Sequence, residues 1–308
     1  MPTVLVVTQH AQRFRTLIEA EQLPSLQATY CETPEQAKPH TDNAEILFGA
    51  PDRIVPLLAD CTHLRWLQSS WAGVKPLIDH GRDNYLLTGV KDIFGPPMSE
   101  YVLGWLLALE RNVISRSINK WWDGTPEQGV AGKTVGIMGT GSIGEHVAAS
   151  CRLFGMTTRG LNTSGSAAAA FDSCFGLHQL KDFANGLDYL VALLPDTASS
   201  DKLIDAELLA QLKHGAIVIN AGRANCMVEK DLLKALQNGQ LRHAVVDVFT
   251  EEPLPQDHPL WAVENLSITS HTSAPTRPEA IVTVFADNYR RYLDGRELNY
   301  QVDFTRGY

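Results

Sequence analysis

The sequence predicts an α/β fold of two domains, each built on a parallel sheet, with a cleft between them. Three observations lead there. Residues 134–144, T-V-G-I-M-G-T-G-S-I-G, read as strand, glycine-rich turn and helix. Short β-branched or apolar strands alternate with helical spacing along nearly the whole chain, the pattern of parallel sheets with crossover helices. The 308 residues are enough for two cores, since domains typically run about 100–200 residues.

Taken in order, T-V-L-V-V at 3–7 is a strand. Helical spacing follows over 11–21 through Phe14, Leu17 and Ile18, and Pro24 stops it. Further strands are expected at 45–48, 64–68 and 85–87. Between strand and helix lies Q-S-S-W-A-G-V-K at 68–75. Its small residues leave backbone N–H groups accessible as a cradle for a carboxylate, and a tight turn with Trp71 packed beside it explains the same residues equally well. Pro96 and Pro97 are read as the end of this unit, with Ser99 capping a helix that runs from Glu100 to Arg111. Apolar residues nearly all round that helix place it between layers or between subunits. Trp121 and Trp122 then pack under a loop or line an entrance.

In the glycine-rich turn each glycine has its own reason. Gly139 permits the tight turn, Gly141 lets a pyrophosphate approach the backbone, and Gly144 lets helix and strand pack closely. Free N–H groups near Ser142 and Ile143 meet the phosphates at the positive end of the helix dipole. Three nearby glycines alone can be an ordinary loop, but the strand before and the helix after make dinucleotide binding the stronger reading.

Strands are expected next at 156–161, 187–194, 216–220, 243–248 and 266–269, a doubly wound arrangement. The clearest helix is 227–238, stopped by Gly239. A final helix, 282–293, belongs back against the first unit, so the chain crosses twice. The expected domains are 1–98 with 275–308, and 99–274.

Ligands of an open parallel sheet bind outside the carboxyl ends of its strands. Three successive strands put a polar residue there: Arg223 in N-A-G-R, Glu252 in D-V-F-T-E-E-P-L-P, and His271 in T-S-H-T-S-A-P. An arginine fork can grip a carboxylate and polarise the neighbouring carbonyl. An imidazole can protonate the oxygen as hydride reaches carbon, and a carboxylate on its far nitrogen fixes the tautomer. Singly, a solvated arginine, a surface acidic pair and a packing histidine are the blander readings. Together, beside a dinucleotide turn, the three suit reduction of a 2-keto acid.

Composition bounds the alternatives. The formal net charge of −9 argues against nucleic acid or an anionic membrane as partner. Apolar runs are too short for a signal-peptide core or a bilayer span, so a cytoplasmic protein is expected. Five scattered cysteines without a C-x-x-C pair suggest neither disulfides nor zinc, and the ten histidines include no metal-binding spacing.

These residues resemble the D-isomer-specific 2-hydroxyacid dehydrogenase family over nearly the whole chain. The likeness rests on S-W-A-G-V, G-T-G-S-I-G, L-L-P-D-T, I-N-A-G-R, D-V-F-T-E-E-P-L-P and S-H-T-S-A-P in that order. The tail V-D-F-T-R-G-Y and P-M-S-E-Y-V at 97–102 are most similar to the glyoxylate and hydroxypyruvate reductase A subgroup. The resemblance implies two Rossmann-like or flavodoxin-like domains with the substrate cleft between them. It implies catalytic roles for Arg223, Glu252 and His271, and a substrate site at Trp71, Ala72, Gly73 and Arg223. It implies that Pro195, Ala221 and Asp247 line the cofactor, and that the chain forms a homodimer acting on small 2-keto or 2-hydroxy acids. Two departures stand out. Ala224 follows Arg223 where the family usually has glycine. The second strand of the dinucleotide unit ends in Asn162, Thr163 and Ser164 with no carboxylate. A ribose 2′-phosphate is then not repelled, which favours NADP, with NAD as the alternative. Arg159, three residues earlier, has no assigned direction. A phosphoglycerate-type dehydrogenase and a cofactor-sensing corepressor-type scaffold are the competing functions.

Overall fold

The computed structural model describes residues 1–113 and 128–305. Trp121, Trp122 and the last three residues of the tail motif lie outside the described residues. The chain forms two compact units, 1–93 with 276–308 and 94–275.

The first unit is built on five parallel strands in the order β2-β1-β3-β4-β5. They are β1 (Thr3–Val7), β2 (Gln27–Cys31), β3 (Ile46–Gly49), β4 (Trp66–Ser69) and β5 (Leu86–Thr88). The helix Ala11–Ala20 turns Phe14 and Ile18 inward and packs on the final helix, Pro278–Leu293. Phe285 of that helix stacks on Phe48 at 4.4 Å between centroids and on Trp66 at 5.5 Å. The chain then pairs with the edge of β5: Val302 N–H donates to Leu87 O at 2.8 Å and Gly89 N–H to Tyr300 O at 3.0 Å.

The second unit carries seven parallel strands in the order β12-β11-β10-β9-β6-β7-β8. They are β6 (Thr134–Met138), β7 (Thr157–Asn162), β8 (Ser173–Gly176), β9 (Tyr189–Ala192), β10 (Ala216–Asn220), β11 (Leu241–Val246) and β12 (Leu266–Ile268). Alternate residues of the central strands feed two cores. Leu190, Ala192 and Val218 join one; Tyr189, Val191, Ile217 and Ile219 join the other. Burial on both faces is why these strands read as continuous apolar runs.

The helix after the first unit starts earlier than expected. It spans Gly95–Glu110 with Pro96 and Pro97 in its first turn, where a missing N–H removes no helical bond. Ser99 is therefore inside the helix and not its cap; its hydroxyl meets His146 Nδ1 at 2.8 Å. At the other end Glu110 is only 1 % exposed. Its carboxylate pairs with Arg242, lies 2.7 Å from Lys133 Nζ and accepts from the Tyr189 hydroxyl at 2.9 Å. This cluster closes the amino edge of the sheet, opposite the glycine turn. Removing its one acid leaves two cations facing each other. Glu110→Ala should therefore lower stability by about 3 kcal/mol, the lower end for a broken buried pair because both cations keep some solvent. Urea unfolding measures this, with Glu110→Gln losing less because its oxygen still accepts from Tyr189.

Among the described residues no helix is long and apolar enough to cross a membrane, and no cluster of histidine, cysteine and acidic side chains could hold a metal.

Candidate active site

All seven strands of the second sheet run the same way, so their carboxyl ends share one edge. On it, β6 is bonded to both β7 and β9. The strand order reverses there, which opens the crevice where ligands of such sheets bind. The glycine turn sits at this point. Gly139 has φ +107°, which favours glycine, and a methyl group on Gly144 would lie 2.0 Å from Gly139 O. Gly141 is different: a Cβ there meets nothing within 4 Å among the described residues. The helix Ser142–Leu153 begins beside it, and its first N–H groups have no intrahelical acceptor. An open seat over the backbone at a helix start fits the pyrophosphate of a dinucleotide.

Next along this edge is the loop after β7. Asn162 Oδ1 accepts the N–H groups of Ser164 at 3.1 Å and Gly165 at 2.7 Å, while Nδ2 donates to Thr140 Oγ1 at 3.0 Å and Ser166 O at 2.8 Å. Its carboxamide is thus engaged inside the loop. Both of its amide hydrogens have acceptors there. Thr163 and Ser164 are exposed. Arg159 points elsewhere, donating to Asn185 O at 2.8 Å. Beyond β9, Pro195 is exposed and its carbonyl accepts from Ser200 Oγ at 2.6 Å. Ala221, just past β10, is buried with its N–H on Ala192 O at 3.1 Å.

The three polar residues sit at successive strand ends. Arg223 follows β10; its Nη1 donates to Gly222 O at 2.8 Å. Its carbonyl accepts from the Cys226 thiol at 3.1 Å, and burial pushes that thiol up to about 12, so it keeps its proton. Glu252 and His271 are brought together: Glu252 Oε2 lies 2.9 Å from His271 Nδ1, and Oε1 accepts the Phe249 N–H at 2.9 Å. With Nδ1 engaged, Nε2 has no partner among the described residues. Arg223 makes no direct contact with this pair; β10 and β12 flank β11, about 10 Å apart at ordinary strand spacing.

His271 has a left-handed backbone, φ +55°. Its N–H donates to Asp247 O at 2.8 Å. Asp247 is fully buried, and its carboxylate accepts the N–H groups of Thr272 at 2.9 Å and Ser273 at 3.0 Å together with the Thr269 hydroxyl. It therefore anchors the histidine turn. Thr269 in turn meets the Tyr101 hydroxyl at 2.7 Å. The sequence reading took Tyr101 and Thr269 only as helix and strand residues; the available signal was a tyrosine on a face expected to be buried, whose hydroxyl needs a partner.

In the first unit, Ser69 Oγ folds the bend after β4 by accepting from Trp71 N–H at 3.0 Å and donating to Trp71 O at 2.9 Å. Trp71 is 41 % exposed, so it is not packed beside a turn. The N–H groups of Ala72 and Gly73 meet no acceptor among the described residues.

The chain is similar to known proteins over both units. Residues 103–273 match the model of the D-isomer specific 2-hydroxyacid dehydrogenase, NAD binding domain. A glyoxylate/hydroxypyruvate reductase A of Klebsiella pneumoniae is 38 % identical over 218 residues, 70 % of each protein. A solved D-isomer specific 2-hydroxyacid dehydrogenase family protein of Aeromonas salmonicida is 41 % identical with TM-score 0.92, covering 98 % of this chain and 99 % of its own. The NADPH-dependent glyoxylate/hydroxypyruvate reductase of Sinorhizobium meliloti, solved with NADP and sulfate, is 25 % identical with TM-score 0.85 and full coverage of both chains.

Proposed function

Because the chain belongs to the D-isomer specific 2-hydroxyacid dehydrogenase family, we propose that it reduces small 2-keto acids of the glyoxylate or hydroxypyruvate kind to D-2-hydroxy acids, with NADPH as reductant and His271 as proton donor. The observation that carries this reading is the Glu252–His271 pair, 2.9 Å apart, on the same sheet edge as a glycine turn with an open seat. The nicotinamide, when bound, supplies the hydride. Arg223 binds the substrate carboxylate and polarises the carbonyl through its fork of donors. Glu252 accepts a hydrogen bond from His271 Nδ1–H and stabilises the imidazolium, whose Nε2 hydrogen goes to the developing alkoxide. Ala72 and Gly73 offer unpaired N–H groups to a carboxylate, and Trp71 an exposed ring. On this reading the second unit, 94–275, is the dinucleotide domain and the first, 1–93 with 276–308, the substrate domain, a few residues from the expected bounds of 99–274 and of 1–98 with 275–308.

NADPH is favoured over NADH because the strand end carries no carboxylate to repel a 2′-phosphate, while exposed Thr163 offers a hydroxyl donor. The Sinorhizobium relative solved with NADP supports the same choice. A homodimer in the cytoplasm completes the reading. Half-buried Leu103, Trp105 and Leu107 on the helix Gly95–Glu110 support the dimer, and sedimentation at micromolar concentration tests it.

The direct test follows the near-ultraviolet absorbance of NADPH with glyoxylate, hydroxypyruvate and pyruvate, and repeats it with NADH. Turnover of the first two with a higher kcat/KM for NADPH is expected. Tight NADPH binding without turnover of any 2-keto acid overturns the reading.

A further inference from the structure

The turn that carries His271 is held from behind by a chain of hydroxyls that no part of the reaction uses. Asp247 is fully buried, and its carboxylate accepts from two turn N–H groups and from the Thr269 hydroxyl. A threonine hydroxyl has one hydrogen. If it goes to Asp247, Thr269 Oγ1 can only accept from its other neighbour. The Tyr101 hydroxyl, 2.7 Å away on the helix Gly95–Glu110, is therefore the donor. Burial pushes that phenol up to about 12, so the hydrogen is present at neutral pH. The bonds converge on one acceptor: Tyr101 donates to Thr269, Thr269 donates to Asp247, and the Asp247 carboxylate also accepts the turn N–H groups of Thr272 and Ser273.

What it holds needs holding. His271 sits at φ +55°, a region that non-glycine residues seldom adopt and that persists only where the surroundings enforce it. The Glu252–His271 contact is half exposed on both sides, and such pairs orient weakly by themselves. The rigid support comes from the buried side.

We propose that Tyr101 is a positioning residue for the reaction: through Thr269 and Asp247 it fixes the left-handed turn that aims His271. The inference rests on the reading of His271 as proton donor. Tyr101→Phe keeps the ring and removes only the donor hydrogen. Misplacing a catalytic group by about 1 Å can lower turnover up to about a hundredfold, so kcat for glyoxylate should fall about tenfold or more, with KM for NADPH and the melting temperature nearly unchanged. Thr269→Val should reproduce the fall and Thr269→Ser should restore the parental rate. On the Thr269→Val background, Tyr101→Phe should cost under about twofold, since the link it serves is already cut.

Parental kcat in Tyr101→Phe, beside an inactive His271→Ala, overturns the positioning role and leaves the proton donor standing. Equal losses from Tyr101→Phe with and without Thr269→Val also overturn it, as does a melting temperature that falls in step with kcat. An active His271→Ala removes the premise itself, whatever Tyr101 does.

Discussion

His271→Ala is expected to lower kcat for 2-keto acid reduction by about a thousandfold, within the range of about 10²–10⁴ that positioned proton transfer contributes. The geometry makes the loss specific. Nδ1 is taken by Glu252 at 2.9 Å, which leaves a single ring nitrogen, and no other side chain among the described residues is hydrogen-bonded to it. Water can still donate a proton, but without the orientation that the Glu252 carboxylate imposes. Binding of NADPH should be nearly unaffected, because the phosphate seat belongs to β6, separated from β12 by β11, β10 and β9. Stopped-flow turnover and a fluorescence titration with NADPH separate the two quantities. A variant with near-parental kcat removes His271 as proton donor.

The second large effect sets two glycines of one motif against each other. Gly141 has an extended backbone, φ −76° and ψ −174°, that any residue adopts, and a Cβ there touches none of the described residues. Gly141→Val should fold as the parent does, yet fill the seat of the pyrophosphate. Losing two N–H contacts to a charged group, at about 1.5–3 kcal/mol each, predicts at least about a hundredfold weaker NADPH binding. Gly144→Ala should do the reverse. Its methyl would press within 2.0 Å of Gly139 O, so turn and helix must part at a cost of about 1–3 kcal/mol. Urea unfolding beside NADPH titration tells these apart. A destabilised Gly141→Val, or one that binds normally, would contradict the open seat.

Legibility in the sequence followed burial. β6, β9 and β10 are covered on both faces and announce themselves as apolar runs. β2 (Q-A-T-Y-C) and β8 (S-C-F-G) went unforeseen, and both are sheet edges whose residues are mostly half exposed. At an edge the hydrogen-bonded partner, not the side-chain pattern, makes the strand, and that partner is remote in sequence. Arg223, Glu252 and His271 could be grouped from the sequence because a parallel sheet sends every strand end to one side. The engagement of Asn162 could not, since it depends on Thr140 twenty-two residues away and on the local turn at Gly165. The same holds for Tyr101, whose partner is 168 residues distant.

The first unit closes its sheet with Val302 paired to Leu87 and seats Phe285 against Phe48 and Trp66. A chain emerging from the ribosome makes residues 1–93 first but cannot complete that core until residues 278–305 have been translated. The stretch 94–275 is contiguous and has all its partners sooner. Folding during synthesis should thus complete 94–275 before the first unit, whose strands wait unfinished for the helix Pro278–Leu293.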